Sequence, residues 1–261
     1  MELLGMIDIP YMTVLLLFVV GIFAGFVDSI VGGGGLISVP AMLLTGVPPS
    51  VALGSNKLGS IFGAASASIA FLRNKMVDYH LIKRLLPFTF IGSMIGTLLV
   101  ISIPPLYVKP ILIILLVAVM IFVLTNKHWG TTSTYHEAKG LILYLCMTIA
   151  FLIGMYDGFI GPGTGTFLIM GFICIGFDFL HAAGNAKVLN FFSNLASLIV
   201  FISLGYVNFL FGLSVALGQI IGATLGARLA IAKGSSLVRT VFILTTTCML
   251  VKLIYDYFVS L

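Results

Sequence analysis

Long apolar stretches separated by short turns follow one another from Tyr11 to the C-terminus. Most of them reach the roughly 20 residues that a helix needs to cross a bilayer. In the first half of the chain the stretches are 11–31, 36–45, 51–72, 85–103 and 106–125, and in the second half they are 140–160, 166–176, 182–204, 205–231 and 236–259. This pattern predicts an all-α polytopic membrane protein.

Two of the stretches, 36–45 and 166–176, are too short to cross alone, because about 11 helical residues reach only half of the hydrocarbon thickness. Each is either a crossing of its own or part of a re-entrant hairpin with the stretch before it, and the hairpin is the favoured interpretation because of the short length. A single broken crossing followed by one helix does not fit the predicted positions of the loops. Pro40 belongs in the first turn of a helix or at a kink, so the first short helix is expected to begin near Ser38.

A glycine-rich break precedes each short stretch. The first contains Asp28 followed by Gly32, Gly33, Gly34 and Gly35, and the second contains Asp157 followed by Gly161, Gly163, Thr164 and Gly165. Such breaks free backbone N–H and C=O groups that lipid cannot satisfy, so they occur only where they are buried in protein or line a wet cavity. A pair of them at matching positions indicates a transporter binding site between two repeats.

The two halves of the chain align directly. Asp28 matches Asp157, and beyond the glycines, where the offset grows by one residue, Lys57 matches Lys187. Gly92 and Gly96 match Gly222 and Gly226 in the same register. The alignment predicts two transmembrane repeats, residues 1–130 and 131–261, within one integral membrane domain.

The basic residues are distributed differently in the two halves. The loop 73–84 is strongly basic, whereas its counterpart near Gly205 has no charge, and the next pair of loops shows the opposite bias. Short basic loops stay in the cytoplasm. The halves are therefore expected to insert in opposite directions, as inverted-topology repeats of a multi-pass inner-membrane protein with both termini outside.

The composition excludes several other classes. Only 8% of the residues are charged, against about 25% in a soluble chain, and no basic patch lies outside the membrane, so nucleic acid is not an expected partner. Neither a catalytic nucleophile motif nor a P-loop nor metal-ligand spacing is present, which predicts that the protein is not an enzyme and has no cofactor or metal.

Lys57 and Lys187 interrupt apolar helices at equivalent positions. A lysine at mid-membrane costs about 2.5–3.5 kcal/mol on insertion scales, unless its amine reaches the headgroups. Both have polar neighbours, which are Ser55, Asn56, Asn190 and Asn194. Two such lysines beside glycine N–H groups and the starts of helices predict an anion site near the midplane.

Asp28 and Asp157 each precede a break by one helical turn. They could bind a coupling proton or cation. They could equally pair with Lys57 and Lys187, or with the freed backbone amides. Both interpretations stay open at this point.

The residues around the two breaks resemble the half-motifs of the sulfite exporter TauE/SafE family. The first comprises Asp28 to Pro40 and the segment 52–57, and the second comprises 156–167, 186–190 and 193–194. Ser55 stands where Thr is more often expected. The resemblance covers essentially the whole chain and implies an inner-membrane permease for sulfur-containing anions such as sulfite, sulfoacetate or related organosulfonates, mostly in the direction of export.

The predicted function is a secondary transporter, in which alternating access exposes a midplane site for a small anion. Its predicted partners are that anion, membrane lipid and a coupling proton or cation. Alternatives are an anion channel using the same site, a permease for non-sulfur organic anions, and a membrane enzyme or assembly factor. The predicted substrate-binding residues are Gly32, Gly33, Gly34, Gly35, Ser55, Asn56, Lys57, Gly161, Gly163, Thr164, Gly165, Lys187, Asn190 and Asn194, with Asp28 and Asp157 in a coupling or structural role.

Overall fold

The computed structural model describes residues 2–99 and 130–259, which form nine α-helices and no strand. The first group of helices is α1 (Glu2–Val31), α2 (Gly35–Leu43), α3 (Pro49–Arg73) and α4 (Tyr79–Leu99). The second group is α5 (Gly140–Phe159), α6 (Thr164–Cys174), α7 (Phe179–Ser203), α8 (Phe209–Lys233) and α9 (Ser235–Val259). The predicted span 106–125 lies outside the described residues.

Five of the described helices are long and apolar enough to cross a membrane: Tyr11–Val31 within α1, and α4, α5, α7 and α8. Their outward faces carry exposed large apolar side chains, such as Leu15 and Phe23 on α1 and Leu217 and Leu225 on α8. A polytopic all-α membrane protein is confirmed. α3 has 25 residues as well, but its many small and polar residues make it less apolar.

Some predicted helix ends were wrong. α2 begins at Gly35 rather than near Ser38, because the N–H groups of Leu36 and Ile37 already bond to the carbonyls of Gly33 and Gly34 at 2.9 and 3.0 Å. Pro40 therefore lies inside the helix, where its ring removes one backbone donor.

The basic loop is also shorter than predicted. Asp78 accepts a hydrogen bond from the N–H of Leu81 at 3.0 Å and caps α4. As a result Lys83 and Arg84 lie in the first turns of α4, and α1 likewise begins at Glu2, well before Tyr11.

Each short helix folds back along the helix that precedes it. After α1 the chain reverses at Gly32 and Gly33, whose φ angles of 81° and 105° are accessible mainly to glycine. α2 then returns, so that Met42 shares a buried apolar cluster with Leu17 near the middle of α1. The first break is therefore the tip of a re-entrant hairpin, which is the favoured alternative from the sequence.

The second break has the same form. Gly161 and Gly163 adopt φ angles of 87° and 91°. α6 then runs back along α5, which brings Gly171 next to Ile149. The tips of both hairpins meet inside the bundle, where Gly32 packs directly on the backbone of Gly165.

Glycines let the long helices of the two halves approach backbone to backbone. Gly92 of α4 lies against the carbonyl of Phe151 in α5, and Gly222 of α8 lies against the carbonyl of Ile22 in α1. These two contacts are equivalent in the alignment of the halves, and Gly96 on Met155 and Gly226 on Phe26 repeat them one turn further along. Thus α1, the first helix of the first half, packs on α8, and α5, the first helix of the second half, packs on α4.

α3 and α7 occupy equivalent places in the alignment but run antiparallel. Gly54 near the start of α3 contacts Phe201 near the end of α7, and Gly184 near the start of α7 contacts Phe71 near the end of α3. Both helices lie beside the tips of the two hairpins and carry Lys57 and Lys187. This arrangement brings the polar residues of both halves to one place.

Candidate transport site

Two ion pairs cross between the halves of the chain. Lys57 Nζ lies 2.9 Å from Asp157 Oδ2, and Lys187 Nζ lies 2.7 Å from Asp28 Oδ2. Lys57 is only 3% exposed and Lys187 is 0% exposed, so neither amine reaches the headgroups. The sequence left more than one role open for Asp28 and Asp157. In the structure both aspartates pair with the lysines.

The break in α5 explains how Lys57 is held. In an unbroken helix the carbonyl of Asp157 would accept from the N–H of Gly161, but this N–H bonds instead to the carbonyl of Tyr156 at 3.3 Å. Lys57 Nζ donates to the freed carbonyl oxygen of Asp157 at 2.7 Å. A Cβ on Gly161 would lie 3.2 Å from Lys57 Nζ, so glycine leaves room for the ammonium.

Each aspartate also stabilises the start of the short helix after its own break. Asp28 Oδ1 accepts from the backbone N–H of Gly34 at 3.0 Å. Asp157 Oδ1 accepts from the hydroxyl of Thr164 at 2.7 Å. Both carboxylates therefore link the short helix of one half to the lysine of the other half.

A small polar cavity lies between the two hairpin tips. It collects most of the predicted site residues from both halves of the chain, and Ser60 in addition. The predicted residues that line it are Asp28, Gly33, Gly35, Asn56, Lys57, Asp157, Gly161, Gly163, Thr164, Gly165, Asn190 and Asn194.

Four predicted residues contribute from behind the cavity wall. Gly32 packs on the other hairpin, and Gly34 donates to Asp28. Ser55 Oγ accepts from the N–H of Asn208 at 2.8 Å and fixes the turn before α8. Lys187 is fully buried behind Asp28.

Ser60 lines the cavity but was missed from the sequence. It follows Lys57 by three positions and Asn56 by four on α3, so all three share one helix face. This spacing could have identified Ser60 as a site residue, but α3 has so many small residues that the serine was not distinctive.

Formal charges in the site cancel. Two lysines face two aspartates, so the lysines do not give the cavity a net positive charge. The paired lysines in the sequence had suggested that they would. The uncharged donors around the cavity include the amides of Asn56, Asn190 and Asn194. An anion that enters must compete with a carboxylate for an ammonium group.

A second polar cluster lies at the start of α7 and is separate from the cavity. Asp178 caps α7 and accepts from the Ser235 hydroxyl and contacts the ring of His181, both at 2.6 Å. Burial alone would raise the pKa of Asp178, but the hydrogen bonds from His181 and Ser235 outweigh it and lower the pKa to about 2. This cluster ties the start of α7 to the turn before α9.

Residues 2–99 and 130–259 contain no group of three or more His, Cys, Asp or Glu side chains that could hold a metal ion. Cys146, Cys174 and Cys248 are all free thiols.

A membrane-spanning helix bundle with a small polar cavity between two broken helices is the architecture of a membrane transporter. The sequence model of the family described as "Sulfite exporter TauE/SafE" matches residues 17–253, and the chain belongs to this family.

Curated relatives carry transporter names. The "Probable membrane transporter protein" of Haemophilus influenzae is 40% identical over 252 residues, covering 95% of this chain and 97% of the relative. The "Probable membrane transporter protein YfcA" of Escherichia coli (strain K12) is 38% identical over 241 residues, covering 92% and 89%. No solved structure matches the chain. The protein is a membrane transporter, and its relatives are named as transporters rather than as enzymes.

Proposed function

We propose that the protein is a secondary transporter that exports small sulfur-containing anions, such as sulfite or organosulfonates, across the inner membrane. The observation that carries the proposal is the polar cavity between the hairpin tips, which Lys57 lines together with residues from both halves of the chain. The family description supplies the sulfur chemistry.

The groups around this space suit an oxyanion. The ammonium of Lys57 supplies a charge-assisted hydrogen bond, which contributes about 1.5–3 kcal/mol. The Asn56 and Asn190 amides and the Ser60 hydroxyl surround the same space and can donate to further oxygens. Backbone N–H groups of the glycine tips add donors that need no side chain.

Alternating access would arise from rocking of two inverted-topology repeats, residues 1–130 and 131–261, around the cavity. The antiparallel run of α3 and α7 and the equivalent glycine contacts between the halves favour this mechanism. The basic residues in and beside the turn between α3 and α4, which are Arg73, Lys75, Lys83 and Arg84, favour a cytoplasmic position for that turn, with both termini outside.

The test is efflux from proteoliposomes that contain the purified protein and are loaded with sulfite, sulfoacetate or, for comparison, acetate. We expect efflux of the sulfur anions, and we expect Lys57→Ala to reduce it at least tenfold. Lys139→Ala is the matched control, because Lys139 is an exposed lysine that pairs with Glu137. Efflux of acetate alone would contradict the sulfur specificity, and single-channel currents in a planar bilayer would contradict the carrier mechanism.

A further inference from the structure

The two crossed ion pairs present different groups to the cavity. In the pair Lys57–Asp157 both the ammonium and the carboxylate line the cavity. In the pair Lys187–Asp28 only the carboxylate does, because Lys187 is completely buried behind it. Among the described residues, an entering anion therefore meets one accessible ammonium group, that of Lys57, which already pairs with a carboxylate.

We propose that Asp157 binds a proton when an anion binds Lys57, so that one proton and one anion move through the cavity together. This inference rests on the proposed function. An anion and the Asp157 carboxylate would otherwise share one ammonium group in a buried site, where like charges repel strongly. The proton, taken from water on the side to which the cavity is open, removes the charge of Asp157 and frees Lys57 for the anion.

Asp28 is not suited to this task. If it were protonated, Lys187 would remain as a fully buried cation, and no anion in the cavity would reach it. Both partners of Asp28, the Gly34 N–H and the Lys187 ammonium, are obligate donors, which a protonated carboxyl group cannot use as acceptors.

Asp157, unlike Asp28, has a neighbour that can accept a hydrogen bond from a protonated carboxyl group, namely the hydroxyl of Thr164. Its Oγ1 lies 2.7 Å from Asp157 Oδ1 and also 2.7 Å from the carbonyl oxygen of Gly161. A hydroxyl has one proton, so it donates to Asp157 while that group is ionised. Once Asp157 is protonated, the Thr164 hydroxyl donates to the carbonyl of Gly161 and accepts a hydrogen bond from the protonated carboxyl group of Asp157. The site thus has a hydrogen-bond partner for both forms of Asp157.

The surrounding charges are consistent with this assignment. The charged groups that face the cavity are Lys57 from α3, Asp28 from α1 and Asp157 from α5, with Lys187 of α7 behind Asp28. The neighbouring phenol of Tyr156 donates to the carbonyl of Pro162. The site is neutral when empty and neutral when it holds a proton and a monovalent anion, so transport of such an anion should be electroneutral. Export then proceeds when the product of the anion and proton concentrations is higher inside the cell than outside.

The test uses the full-length protein in proteoliposomes, with methanesulfonate as a monovalent probe that does not titrate between about pH 6 and pH 8. A pH-sensitive dye inside the vesicles reports proton movement. We expect one proton to move in the same direction as each anion, independent of membrane potential. Because one proton binds with each anion, the apparent affinity for methanesulfonate should fall as the pH rises, by up to about tenfold per pH unit.

Asp157→Asn mimics the protonated form. In this variant we expect methanesulfonate binding to be independent of pH and proton movement to be lost. Unchanged proton movement in this variant would overturn the proposal. If the variant does not insert stably, Thr164→Val and Thr164→Ser decide: Thr164→Val should weaken binding at low pH several-fold, whereas Thr164→Ser should not.

The two proposals fail in different ways. If the unmodified protein moves no sulfur anion at any pH, the proposed function is wrong. If it moves methanesulfonate without protons and with pH-independent affinity, only the proton coupling is wrong.

Discussion

Lys57 and Asp157 lie 100 positions apart, yet the ammonium of Lys57 contacts both the carboxylate and the freed backbone carbonyl of Asp157, at 2.9 and 2.7 Å. One side chain thereby pairs with a charge and completes the broken end of a helix in the other half of the chain. Lys187 pairs with Asp28 in the opposite sense, from the second half to the first. The two halves are joined at their breaks by charge as well as by packing.

Removal of Asp28 alone should destabilise the protein. Asp28→Ala leaves the ammonium of Lys187 buried without its carboxylate, at an expected cost of about 3–5 kcal/mol. The double variant Asp28→Ala with Lys187→Met removes both charges and should recover most of that loss. The thermal midpoint in detergent measures the effect, and Glu137→Ala, which breaks an exposed pair, should change it little.

Gly32 should tolerate no side chain. Its φ of 81° disfavours other residues, and a Cβ there would collide with the backbone of Gly165 on the other hairpin. We expect Gly32→Ala to separate the two tips and abolish transport. Gly205→Ala is the control, since its φ of 74° is similar but nothing lies within 4 Å. It should therefore lose only about 1 kcal/mol of stability, and equal transport losses in both variants would contradict the contact argument.

The repeat in the sequence predicted which residues would meet, but not how they would pair. The matched Asp28, Asp157, Lys57 and Lys187 and the two glycine breaks sufficed to locate the cavity. Nothing along the chain specifies which carboxylate a lysine reaches, because that depends on how the hairpin tips lie against each other. The crossed pairing is thus a property of tertiary structure.

Local signals misled the prediction where tertiary contacts decide. A proline as in Pro40 favours a helix start, yet α2 begins before it because the carbonyls at the hairpin tip already accept hydrogen bonds. Ser55 has the polarity of a ligand-binding residue, but its hydroxyl accepts from Asn208 instead. Polar residues beside a site can serve the fold rather than the ligand.

Glycines at two different helix contacts should differ sharply in their tolerance of alanine. Alanine normally stabilises a helix relative to glycine by about 0.8–1 kcal/mol. Gly171→Ala should gain some of this, because its nearest neighbour, Ile149, is at 3.6 Å. Gly222→Ala should instead destabilise the protein, because the new methyl group collides with the carbonyl of Ile22. Thermal midpoints of the two variants should shift in opposite directions, and stabilisation by Gly222→Ala would contradict the close helix packing.

Asp178 should make stability depend on pH in acid. Its pKa is lowered to about 2 in the folded protein from 3.8, so its contribution is complete above about pH 4 and is lost as the pH falls towards 2. After allowance for solvent screening we expect about 1–2 kcal/mol. Asp178→Asn should therefore lower the thermal midpoint at pH 7 but not near pH 2. A difference between the two proteins that persists unchanged in acid would contradict this assignment.

The proposed inverted topology of the two halves predicts opposite accessibility for two exposed positions. Asn74 follows α3, and Ser203 ends α7, the helix that is equivalent in the alignment but runs antiparallel to α3. In a background without Cys146, Cys174 and Cys248, a membrane-impermeant maleimide should label Ser203→Cys in intact cells. It should label Asn74→Cys only after the inner membrane is permeabilised, because the basic turn after α3 is expected in the cytoplasm.

Labelling of both variants from the same side would refute the inverted topology. Labelling of Asn74→Cys alone in intact cells would reverse the orientation of the whole protein but leave the relation between the halves intact.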